Sequence, residues 1–132
     1  KQKFINMNNI RPTVAIADNH SLMRSTLTEF LLSHGYSVII QAGNGQHLLE
    51  QLSYASRLPD LCLLDIDMPI MDGYETAQHL RKHHPSIKIL ATSVFYNEVK
   101  KEKMLRCGVN SFISKSSNPE EWEKILHELC PV

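Results

Sequence analysis

The sequence predicts an α/β fold, a doubly wound five-stranded parallel sheet with helices on both faces. Three observations lead there. Short apolar runs alternate five times with stretches whose apolar residues recur at helical spacing, the pattern of strand and helix in turn. The runs are continuously apolar, as burial on both faces of a sheet demands. Several of them also stop abruptly at a residue with chemistry to offer, and open α/β sheets gather their active groups just beyond the carboxyl ends of the strands.

The elements follow in order. Thr13-Val-Ala-Ile-Ala17 reads as the first strand and ends at Asp18. Leu22, Leu27, Phe30 and Leu31 then recur at helical spacing, with Gly35 as the stop. Val38 to Ala42 is the second strand, followed by the turn Gly43-Asn44-Gly45 and a helix marked by Leu48, Leu49 and Leu52. Pro59 precedes the third strand, Leu61-Cys62-Leu63-Leu64-Asp65, which runs out into the turn signals Met68-Pro69 and Asp72-Gly73. A third helix spans about 73–84 and is stopped by Pro85. Ile87 to Ser93 is the fourth strand, and the helix after it closes at Cys107-Gly108. Ser111 to Ser114 forms a short fifth strand, and the last helix starts beside Pro119 and carries Trp122, Ile125, Leu126 and Leu129.

A chain of 132 residues is enough for one core and too short for two. Residues 1–11 read as a loose polar leader, with Met7 as a candidate natural start, and 12–132 as the folded domain. Acidic and basic residues balance at 14 each, so the basic imprint of a nucleic-acid or membrane-surface protein is missing. No apolar stretch approaches transmembrane length, and no secretory signal is visible. The expectation is therefore a cytoplasmic protein with no membrane partner. Cys62, Cys107 and Cys130 lack metal-type spacing, and Cys62 belongs to an apolar run, the place of a small core residue.

The ends of the first, third, fourth and fifth strands offer Asp18-Asn19, Asp65, Ser93 and Lys115. Carboxylates, a hydroxyl and an ammonium suit a phosphoryl group handled with a hard divalent cation. Magnesium takes oxygen ligands and keeps several waters, so two or three protein oxygens suffice. A carboxylate can serve as nucleophile and become an aspartyl phosphate, and the transfer then rests on positioning and charge neutralisation.

From about Pro12 to Leu129 the chain resembles a receiver domain of two-component response regulators, a flavodoxin-like fold. The resemblance is carried by Asp18-Asn19 after the first strand, by Leu63-Leu64-Asp65-Ile-Asp67-Met-Pro-Ile-Met-Asp-Gly73, by Ser93 and by Phe112-Ile-Ser-Lys115. Asp18-Asn19-His20 with Leu22 and Arg24, and Lys115-Ser-Ser-Asn-Pro119-Glu-Glu, look most like the NarL-type branch. The resemblance implies that Asp65 is the phosphoacceptor, served by a sensor histidine kinase, and that the chain is not an enzyme beyond its own phosphorylation and slow dephosphorylation. It implies Mg2+ held by Asp65, by the backbone carbonyl of Asp67, by Asp18 through water, and by Asn19 at the second acidic position. Ser93 would be the switch hydroxyl, preferred to Thr92 by its spacing to Gly108 and Lys115; Lys115 would pair with the phosphoryl group, and Phe112 would be the aromatic that follows the switch. The fourth helix, fifth strand and fifth helix would relay the switch and form a homodimer surface. DNA would be reached through an output domain, which the residues after Leu129 do not encode. A charge-assisted hydrogen bond is worth about 1.5–3 kcal/mol, whereas moving a population from 1:99 to 99:1 takes about 5.5 kcal/mol. Ser93 and Lys115 would therefore have to act together, with repacking at Phe112.

Two departures from the family pattern stand out. Asn19 replaces an acid, which removes one negative charge from the cation site and raises the expected magnesium requirement. Ser116 follows Lys115 where the family has proline; a cis bond before a non-proline residue costs about 2.5–4 kcal/mol, and both isomers stay open. Two other functions compete. A degenerate, phosphate-independent receiver would act as a protein-binding module. A haloacid-dehalogenase-like phosphatase would use Asp65-Ile66-Asp67 as an Asp-x-Asp pair, but Pro69 and the motif's place in mid-chain argue against it. His79 and His83 read as a solvated helix end, His20 as a rim or surface residue, and Gly43-Asn44-Gly45 as a turn only. Trp122 reads as packing. Lys100, Lys101, Lys103 and Arg106 read as a solvated basic face or a partner surface.

Overall fold

The apolar runs become five parallel strands, β1 (Thr13–Ala17), β2 (Ser37–Ala42), β3 (Leu61–Asp65), β4 (Lys88–Ser93) and β5 (Ser111–Ser114). Between them lie α1 (Ser21–Ser33), α2 (Gly45–Tyr54), α3 (Gly73–His83) and α4 (Glu98–Arg106), and α5 (Pro119–Leu129) closes the chain. The computed structural model describes residues 11–132, so the leader assigned to 1–11, apart from Arg11, and the candidate start at Met7 lie outside the described residues.

The sheet order is β2-β1-β3-β4-β5. The chain steps outward from β1 to β2, returns across β1 to β3, and continues the other way. The reversal falls between β1 and β3, and open α/β sheets bind their ligands at such a point. Every residue of β1 and β3 is buried, and successive side chains serve opposite faces. Ala15, Ala17, Cys62 and Leu64 join the core under α2, α3 and α4, with Leu48, Leu52, Leu80 and Met104. Val14, Ile16, Leu61 and Leu63 join the core under α1 and α5, with Leu27, Leu31, Trp122 and Leu126. Burial pushes the Cys62 thiol up to about 12, so it is an inert packing group.

Four helices start on a side-chain cap. Asn44, Asp72, Asn97 and Asn118 each accept the amide of the residue three further on, and such a cap is worth about 1 kcal/mol. Asn118 and Glu121 complete a capping box beside Pro119. Helix α1 has no side-chain cap, because His20 holds that position and its neighbourhood belongs to the rim. Leu22, counted by its spacing with the core residues of α1, is instead 78% exposed. Five residues separate it from Leu27, which at 3.6 residues per turn puts it about 140° round the helix from the buried stripe.

Gly73 marks where α3 enters against β3. A Cβ there would lie 2.5 Å from Ile66 Cα and 2.6 Å from the carbonyl oxygen of Asp65, contacts with backbone that cannot swing aside. Gly73→Ala is expected to cost about 1–3 kcal/mol, the usual range for overpacking, read as a lower denaturation midpoint with unchanged slope.

Candidate functional site

The strands deliver their terminal residues to one rim. Asp18 follows β1, and its amide donates to the Ala42 carbonyl at 2.9 Å. Asp65 ends β3 opposite Thr92 of β4, Ser93 ends β4, and the Lys115 amide donates to the Ser93 carbonyl at 2.9 Å. The ladder thus holds the backbones of Asp18, Asp65, Ser93 and Lys115 in place before any side-chain contact is made.

Asp18 and Asp65 are each 1% exposed. Between them sits Lys115, whose Nζ is 2.7 Å from Asp18 Oδ2 and 3.2 Å from Asp65 Oδ2. Neither carboxylate oxygen receives a well-aligned hydrogen bond, so the attraction is Coulombic rather than directed. The other oxygens are satisfied. Asp65 Oδ1 accepts the Asp67 amide at 3.0 Å, and Asp18 Oδ1 accepts the His20 amide at 2.9 Å. Burial raises the Asp65 carboxyl above its usual value, against the pull of the Asp67 amide and Lys115, and Asp18 adds to the rise. Burial works against the Lys115 ammonium too, but Asp18 and Asp65 outweigh it and hold it above its usual value.

Ser93 stands apart from this trio. Its hydroxyl reaches Asp67 Oδ2 at 2.9 Å and the Phe95 carbonyl at 3.0 Å, and it accepts Lys100 Nζ at 2.9 Å. Thr92 and Ser93 are both buried, at 2% and 0% exposed, but it is Ser93 that joins the polar network at the rim. The Asp67 side chain is 56% exposed, and Asn19 lies exposed beside Asp18. The loop after β3 is pinned by a three-residue turn, with the Met71 amide on the Pro69 carbonyl at 2.7 Å and Ile70 at φ 70°. A β-branched residue there is strained. The described residues contain no cis peptide, so the Lys115–Ser116 bond is trans.

Two neighbours complete the rim: His20, read from the sequence as a rim or surface residue, and Lys100, whose inward placement the sequence reading missed. His20 Nδ1 lies 3.3 Å from Asp18 Oδ1, and Asp18, His20 and Asp65 each place one ligand atom within 4.8 Å of the others. Lys100, read with the solvated basic face of α4, is only 19% exposed. The signal was its spacing, since Lys100 precedes Met104 and Cys107 by four and seven residues and both of these are buried. Phe112 stacks on Tyr96 with ring centroids 4.9 Å apart. A groove of about 540 Å³ runs beside this pair, lined by Phe112, Ile113, Glu121 and Ile125, away from the carboxylates.

The residues present fit a hard cation. Two buried carboxylate oxygens without directed hydrogen bonds both lie against the Lys115 ammonium, and oxygen donors are what magnesium takes.

A five-stranded parallel sheet with carboxylates at its switch point defines a receiver-like α/β class, and residues 14–127 match the model of the response regulator receiver domain. The chain belongs to that family. It is 32% identical over 124 residues to the nitrate/nitrite response regulator protein NarL of Escherichia coli (strain K12), covering 92% of this chain and 56% of that protein. It is 28% identical to the chemotaxis protein CheY of Thermotoga maritima, over 88% of this chain and 95% of that one. The receiver domain of the response regulator NarL from Mycobacterium tuberculosis superposes with a TM-score of 0.82 at 29% identity, covering 91% and 96% of the two chains. The chain spans about half the length of the NarL and GacA proteins it matches. The five-stranded fold and the NarL-type likeness expected from sequence are both borne out. No helix among the described residues is long and apolar enough to cross a membrane.

The raised Asp65 carboxyl carries a sign. Below the unfolded carboxyl value both states are protonated and Asp65 contributes nothing to the difference. As pH rises from the unfolded value to the higher folded one, the unfolded chain ionises while the buried group resists, so stability falls, and the loss is complete above the folded value. Asp65→Asn, which never ionises, is expected to melt above the wild type in metal-free buffer, with the gap opening as pH rises above the ordinary carboxylate value and levelling off above the raised folded value. Thermal melts at several pH values check it.

Proposed function

We propose that the chain is a phosphorylation-switched signalling module that takes a phosphoryl group onto Asp65 from a sensor histidine kinase. The observation that carries this reading is the burial of Asp65 beside Asp18 with Lys115 Nζ at 3.2 Å. A carboxylate in that setting has its nucleophilic oxygen turned to an ammonium that can receive phosphoryl charge. In the transfer the phosphorus–nitrogen bond of the kinase phosphohistidine breaks as a phosphorus–oxygen bond forms to Asp65, an exchange dominated by positioning and charge neutralisation.

Family members bind magnesium at an acidic pocket. Here Asp18 and Asp65 would hold it, together with the Asp67 carbonyl and the amide oxygen of Asn19. When bound, the ion supplies positive charge for the phosphoryl oxygens. Lys115 would then turn from Asp18 toward the phosphoryl group, and Ser93 would leave Asp67 to donate to it. Phe112 would follow the space Ser93 vacates. The face of α4, β5 and α5, with its open groove and the exposed Val94, Phe95, Tyr96 and Val99, is the surface we assign to a second copy of the chain. Control of DNA would run through an output domain like those of the longer relatives, with residues 12–132 forming the receiver.

A phosphate-independent binding module is the second reading, favoured by Asn19 in place of an acid and by the shorter contact of Lys115 with Asp18 than with Asp65. The match to the response regulator receiver family tells against the phosphatase reading.

Intact mass after incubation with magnesium and acetyl phosphate separates the two remaining readings. One phosphoryl adduct in the wild type, absent from Asp65→Asn, is the expected result. No adduct at any magnesium concentration would favour the binding module.

A further inference from the structure

Lys100 is the third residue of α4, and its amide is fixed by the Asn97 cap at 2.7 Å. A cation in the first turn of a helix is disfavoured by the helix dipole, so its placement calls for a compensating partner. The structure supplies one. Lys100 Nζ donates to Ser93 Oγ at 2.9 Å and lies 3.6 Å from Asp67 Oδ2, while Ser93 Oγ itself donates to the same Asp67 oxygen at 2.9 Å. Asp67 in turn donates its amide to Asp65 Oδ1. An unbroken polar chain therefore runs from the candidate phosphoacceptor through Asp67 and Ser93 to the first turn of α4. Ser93 is fully buried and Lys100 is largely so, and in such a setting these bonds are stronger than they would be in water.

We propose that Lys100 is a positioning residue that latches the resting state. It holds the Ser93 hydroxyl on Asp67, so that α4 is freed only when a more highly charged anion takes the hydroxyl away. The role rests on the phosphoryl-switch reading for its trigger, while the latch itself is a property of the resting chain. Lys100 and Asp67 act through Ser93 and need not touch the phosphoryl group.

Hydrogen exchange over residues 94–101 of the full chain tests the latch. In the resting protein, Lys100→Gln is expected to exchange about tenfold faster there, the loss of one charge-assisted hydrogen bond, while Lys100→Arg, which keeps the cation, stays near the wild type. Asp67→Asn should match Lys100→Gln, and the double variant should go no further. After acetyl phosphate and magnesium, the wild type should rise to the Lys100→Gln level, and Lys100→Gln should not change. Unchanged exchange in resting Lys100→Gln, single effects that simply add in the double variant, or a loss of protection spread over the whole chain would each overturn the proposal. If the wild type takes no phosphoryl adduct, the phosphoryl-switch reading fails, and the resting arm alone still decides the latch.

Discussion

Two carboxylates and one ammonium, all buried at the rim, form the constraint on which the rest of this molecule depends. Asp18 and Asp65 would repel each other if left alone in a poorly solvated pocket. Lys115 keeps them together at 2.7 and 3.2 Å, yet without aligned hydrogen bonds on the facing oxygens. One positive charge serving two negative ones leaves a surplus of negative charge, and buried charge that is poorly compensated is costly. The fold tolerates this because the ladder fixes all three backbones, and because the two cores on either side of the sheet supply stability away from the rim. A site held in unfavourable charge balance by a rigid scaffold is prepared to gain from a cation.

The switch side of the rim is arranged differently. Ser93 satisfies its hydroxyl with Asp67, the Phe95 carbonyl and Lys100, none of which belongs to the carboxylate trio. The resting arrangement is thus a satisfied set of bonds rather than an open gap, and under the proposed switch a phosphoryl group would have to displace it. Under that proposal the hydroxyl would have two positions, and the contact of Lys100 with Ser93 would connect the outcome to α4.

Much of this was legible in the residues. The continuously apolar runs pointed to β1 and β3, and their abrupt ends to Asp18 and Asp65, because a strand buried on both faces is apolar at every position. A strand stopping at a solvated Asp would read the same way. Lys115 was reached by topology and by family resemblance, since a single lysine after a four-residue strand carries no signal of its own. Leu22 misled because spacing along a helix does not reveal which stripe faces the sheet. Lys100 was hidden by its neighbours: among Lys101, Lys103 and Arg106 a basic residue looks solvated, and only its register with Met104 placed it inward. The resting partners of Ser93 depend on contacts between β3, β4 and α4, which no local pattern encodes.

The surplus negative charge at Asp18 and Asp65 is the central claim, and magnesium titration followed by thermal melting tests it most directly. Ligand that binds the folded state alone raises stability as its concentration exceeds its dissociation constant. The account predicts a melting temperature that climbs with magnesium in the wild type and stays flat in Asp18→Asn. A flat wild-type response, or an equal climb in both proteins, would contradict it.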